Sequence, residues 1–126
     1  MDSITTIYEG ARSEVCQGIE LKMNIHIAPI DGYTMDAYEF TCIAYCSSTK
    51  KIVATKSECI RVDSENYMML VDTGKLTTGD LHILVIAQVP DSDMPDMLRA
   101  EPTDIDTGIT IIRSAIDLTS YLNGLH

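Results

Sequence analysis

Apolar and polar residues alternate along most of this chain. The clearest case runs from Leu81 to Val89, where Leu81, Ile83, Val85, Ala87 and Val89 fall on one face of an extended strand. His82 and Gln88 bound the other face, with Leu84 and Ile86 at its centre. Apolar residues on both faces predict a strand inside a sheet that is covered on both sides. Pro90 ends it, having no N–H for a ladder and restricting Val89 before it.

Other stretches repeat the pattern more weakly. Ile19, Leu21, Met23, Ile25 and Ile27 alternate with Glu20, Lys22, Asn24 and His26 and predict a half-buried strand. Pro29 stops it, and Asp31-Gly32 predicts a turn. Ala37 to Cys46 reads as a strand with Tyr38, Phe40, Cys42 and Ala44 on one face, followed by the polar hairpin Ser47–Lys50. Short strands are expected over 51–55, 58–62, 67–72 and 109–112. In 67–72, Met68 and Met69 both read as core filling. The tail over 114–124 suits a helical face through Ala115, Leu118 and Leu122, while Ile116, Thr119 and Tyr121 suit a strand, and both readings stand.

About seven short strands with turns between them and no room for crossover helices predict an all-β, antiparallel sandwich, with a small barrel as the alternative. The expected organisation is an N-terminal arm over 1–18, the sandwich over 19–112 and a C-terminal tail over 113–126.

At 126 residues and 45% apolar, the chain suffices for one folded domain. A net charge of −10 argues against nucleic acid and for solubility, or for a basic partner. The first residues show no signal peptide, and no apolar run reaches membrane-spanning length, so no membrane partner is expected. Cys16, Cys42, Cys46 and Cys59 form no Cys-x-x-Cys and read as reduced thiols of a cytoplasmic product.

Candidate chemistry is sparse. His26, His82 and His126 make no zinc spacing, no serine sits in a nucleophile elbow, and no glycine loop cradles phosphate. Asp91, Asp93 and Asp96 resemble the start of a calcium loop, but Asp96 stands where glycine is required and Pro102 where glutamate is required. No enzyme activity, cofactor, metal or small-molecule substrate is therefore expected. Instead Met94, Met97 and Leu98 place apolar groups among acids, which suits a protein contact. The candidate interface comprises Asp91, Asp93, Met94, Asp96, Met97 and Leu98, with Asp104 and Asp106 further along one acidic loop over 91–106. Both chain ends are expected to join it in binding neighbouring chains.

Asp63, Tyr67, Val71-Asp72-Thr73, then Leu76, Gly79 and the alternating strand, then Pro90-Asp91, Pro95-Asp96, Arg99 and Thr107-Gly108-Ile109 carry a resemblance. Over about residues 19–112 the chain resembles the small immunoglobulin-like β-sandwich modules of phage virion proteins, especially of phages with Bacteroides-type hosts. The N-terminal adaptor domains of baseplate upper proteins are similar in strand order. The resemblance implies a non-enzymatic structural protein made in the host cytoplasm and residing in the virion. It would dock on tail, baseplate or portal, or decorate the capsid or attach a head fibre, with other virion proteins or copies of itself as partners. The fibre or receptor-binding part of such adaptors has no counterpart in this sequence. A cellular adhesin-like or carbohydrate-binding sandwich is the rival reading, which the absence of Trp and the single Phe disfavour.

Overall fold

The structure is a computed structural model whose described residues are 13–113. The expected contacts of the two chain ends, and the choice between helix and strand after Ser114, lie outside those residues. Eight strands are described: β1 (Ser13–Cys16), β2 (Glu20–His26), β3 (Glu39–Ser47), β4 (Lys50–Thr55), β5 (Ile60–Asp63), β6 (Asn66–Asp72), β7 (Gly79–Pro90) and β8 (Leu98–Ile112). Single 3-10 turns at Met35–Ala37, Lys56–Glu58 and Thr73–Lys75 carry the chain across.

They form two sheets, one of five strands in the order β1-β8-β7-β3-β4 and one of three in the order β2-β6-β5. In the immunoglobulin arrangement strands B, E and D share one sheet and G, F and C the other, with C′ beside C in the variable type. Here β2, β6 and β5 take the first set of places, and β8, β7, β3 and β4 the second. The fold is thus an immunoglobulin-like β-sandwich. One pairing departs from the antiparallel expectation: β1 lies parallel to β8, Ser13 opposite Ile109 to Cys16 opposite Ile112.

β7 sits between β3 and β8, and its inward face is completely closed: Leu81, Ile83 and Val89 are 0% exposed, Val85 and Ala87 2%. Facing it across the sandwich are Met23 and Ile25 of β2 and Met69 and Val71 of β6, all buried. Phe40 packs edge-on to Tyr67 with centroids 5.0 Å apart, joining the two sheets at one end. At the other, Thr73 donates its hydroxyl to the Ile19 carbonyl at 2.6 Å and accepts from the Gly18 N–H at 2.9 Å, fastening β6 to the entry of β2.

Three sequence expectations change. β7 is not covered on both sides by described residues: Leu84 and Ile86 are half-buried among their cross-strand neighbours Ile43, Thr41, Asp104 and Pro102. Met68 leaves the core, since the strand period turns it outward while Met69 turns in. The expected acidic loop is only half as long, because β8 begins at Leu98. Pro102 argues against a strand there, yet β1 pairs only with the far half of β8, so Pro102 occupies an edge position where its missing N–H is tolerated. Asp106-Thr107-Gly108 forms a bulge within β8: the register slips between Asp80 and His82, and Gly108 adopts φ +75°.

Asp31-Gly32 forms a two-residue hairpin turn with both φ angles positive, +50° and +83°. Reciprocal 2.9 Å hydrogen bonds between Ile30 and Tyr33 close it.

Truncating a fully buried side chain of this core removes contacts that nothing else can supply. Leu81→Ala is expected to destabilise the domain by about 2–5 kcal/mol in urea titration. A loss below about 1 kcal/mol would mean that β7 does not organise the core.

Candidate interaction site

The loop between β7 and β8 is built by its own polar groups. The Asp91 carboxylate accepts from the Asp93 N–H at 3.0 Å, and the Asp96 carboxylate from the Leu98 N–H at 3.1 Å. Backbone bonds from Met94 to Asp91 (3.2 Å), Met97 to Met94 (3.0 Å) and Asp91 to Met97 (2.9 Å) close the loop on itself. The Asp93 N–H, and after it the Arg99 guanidinium, hold the Asp91 carboxyl below its usual range. Arg99 reaches Asp91 at 3.2 Å, pairs with Asp31 of the β2–β3 connection, and approaches Glu101 at 3.8 Å. One guanidinium thus ties the loop to the rest of the domain.

On this frame Met94, Met97 and Leu98 project apolar groups at 41%, 59% and 37% exposure. Met97 also adopts φ +64°, a left-handed conformation that side chains other than Gly, Asn and Asp rarely take. Neither burial nor backbone preference explains a methionine at that position.

The structure divides the candidate residues. Asp91, Asp93, Met94, Asp96, Met97 and Leu98 stay together, whereas Asp104 and Asp106 lie along β8, at ~3.3 Å per residue about 20 Å or more from Leu98. Asp104 accepts from the Tyr45 hydroxyl at 2.8 Å and lies 3.5 Å from His82 Nδ1. That hydrogen bond raises the Tyr45 pKa, and the Tyr45 and His82 rings stack at 5.4 Å. Asp106 caps the bulge by accepting from the Gly108 N–H at 3.0 Å. No group of three or more potential ligands able to hold a metal ion occurs among the described residues. No helix among them is long and apolar enough to cross a membrane.

Two features escaped sequence reasoning. The first is a cluster at Asp36, in the turn before β3. Its carboxylate takes a forked interaction from Arg61 (Nε at 3.0 and 3.1 Å, Nη2 at 2.7 Å) and a 2.6 Å bond from the Tyr67 hydroxyl. Lys56 donates to the Asp36 and Tyr38 carbonyls at 2.9 Å each. The Arg61 and Tyr67 hydrogen bonds lower the Asp36 pKa to about 2. Its acceptors are committed to structure, so it is a clasp between turn and small sheet, not a general acid or base. Arg61 and Tyr67 lie 25 and 31 residues from Asp36 in sequence, and no local pattern announces the contact.

The second is the outward face of the small sheet, where Ile60, Val62 and Leu70 are 53%, 43% and 57% exposed beside half-buried Met68. The signal for it was present, since both alternating faces of β6 are apolar.

All four cysteines are free thiols. The neighbouring Cys59 thiol, and after it burial, push the Cys42 thiol pKa above its usual value.

No family model matches this sequence, and no curated protein matches it. A solved structure described as a candidate glycoside hydrolase from Bacteroides vulgatus is similar at 10% identity and a TM-score of 0.43. The likeness covers 84% of this chain, which spans 17% of that protein's length. At that level it carries no argument about activity.

The Asp36 clasp has a definite pH signature. Its folded-state pKa of about 2 lies below the ordinary 3.8, so its contribution to stability is fully present above about pH 4 and is lost as pH falls towards 2. Urea titrations from pH 6 to 2 should show Asp36→Asn less stable than wild type at pH 6, with the gap closing below pH 4. A gap constant down to pH 2 would contradict the clasp.

Proposed function

We propose that this protein is a non-enzymatic assembly module, an immunoglobulin-like adaptor that docks on a larger virion particle through its β7–β8 loop. The observation that carries the reading is the loop itself: three exposed apolar side chains on a self-bonded frame, one of them in a left-handed conformation. Unusual backbone conformations cluster at functional sites. Docking would desolvate Met94, Met97 and Leu98. Asp93 and Asp96 at the rim would meet Lys or Arg of the partner and set orientation. The phage setting is supported by the sequence resemblance, and the position on tail, baseplate, portal or capsid follows from the partner that presents the basic surface.

The test uses Met94→Ser/Met97→Ser. Both residues are exposed, so the variant should melt within about 2 °C of wild type. Its occupancy in purified particles, read by quantitative mass spectrometry, should fall at least about tenfold, the consequence of removing a central apolar contact. Wild-type occupancy would refute the loop as the docking surface. Particles that never contain the wild-type polypeptide would refute the virion reading.

A further inference from the structure

We propose that the outward face of the β2-β6-β5 sheet is a second contact surface, and that its occupant is a second copy of this chain. The inference deepens the assembly reading and rests on it for its biological use. The surface itself stands on separate residues.

Period two and the register put Ile60, Met68 and Leu70 on this face, with Lys22, Asn24 and His26 of β2 beside them. Ile60 and Leu70 are more than half exposed, and Val62 extends the patch along β5. Contiguous exposed apolar surface of this kind marks contacts. At its centre Asn24 is 6% exposed, and its amide nitrogen is spent on Asn66 Oδ1 at 3.0 Å. Asn24 Oδ1 is shielded from solvent and has no hydrogen-bond partner among the described residues. Among the described residues nothing donates to that oxygen, while Ile60, Val62 and Leu70 around it stand open to solvent.

Charge selects the occupant. Each copy of the chain carries −10, so two copies repel wherever acids crowd. The β7–β8 loop, with Asp91, Asp93 and Asp96, is such a place and calls for a basic partner. The small-sheet face differs: its centre is neutral, Lys22 stands on it, and Glu20 lies directly opposite Asp72 at one end. Like charges directly opposed across a strand pair destabilise it, and a cation brought against them relieves this. Lys22 of a second copy is that cation, and by symmetry the pairing forms twice. A face holding its own apolar match and both signs of charge is what an isologous interface requires. Three short strands at ~4.8 Å spacing cover only about 300 Å² of plane, so the association is weak and is populated where copies are held close together.

Sedimentation of the free protein over a concentration series tests this. Wild type should pass from monomer to dimer by about 1 mM, and Leu70→Lys, a change at a surface position, should weaken association at least about tenfold. Lys22→Glu alone, and Glu20→Lys/Asp72→Lys alone, should each associate less than wild type. An equimolar mixture of these two variants should recover a heterodimer, because each opposed pair then carries unlike charges. Met94→Ser/Met97→Ser should dimerise as wild type does, so failure of the loop as a docking surface and failure of this face are read separately. A protein monomeric throughout, a Leu70→Lys variant that sediments like wild type, or a mixture without recovery would each overturn the proposal.

Discussion

Closing one face of β7 is the constraint on which the rest of this molecule depends. Five alternating side chains from Leu81 to Val89 leave water together, and none can do so unless β3 and β8 flank the strand and the small sheet covers it. Period-two geometry makes the outcome all-or-none, since a slip by one residue would send the whole set to the surface. The same alternation then decides what faces outward: His82, Leu84 and Ile86 on the large sheet, and by the same rule Met68 and Leu70 on the small one.

Polar fastenings hold the two sheets in the relation this burial requires. The Asp36 clasp closes one end of the sandwich by joining the turn before β3 to β5 and β6. Thr73 performs the corresponding task at the entry of β2. Arg99 gathers Asp31 and Asp91, bringing the two connections beside it into one charged patch. Each fastening commits its polar group to a partner elsewhere in the domain, which is why the clusters read as structure.

The two apolar surfaces that remain differ in electrostatics. The loop displays methionines within acid, whereas the small-sheet face displays Ile60, Met68 and Leu70 around a neutral centre. A protein of this net charge can present the first only to a basic partner and the second to a wider range, including itself. On the proposed reading, separate sites of unlike character would let one small domain dock and pack at once.

The amino-acid sequence by itself determined the all-β class, the strands that became β2, β3, β4, β6 and β7, the turn at Asp31-Gly32 and the exposed Met94-Met97-Leu98 tip. These follow from local alternation, from proline and glycine chemistry, and from the mismatch between apolar residues and an acidic loop. Only the tertiary structure decided which apolar face of β6 would be buried, because that depends on the side from which the other sheet approaches. It also extended β8 back through Pro102, since an edge position is defined by neighbours that a linear sequence does not name. It separated Asp104 and Asp106 from the loop for the same reason: once 98–112 became a strand, its rise carried them away. The Asp36–Arg61–Tyr67 clasp was least legible of all, because distant residues meet only after both sheets have formed, and an ion pair leaves no periodic trace in the chain.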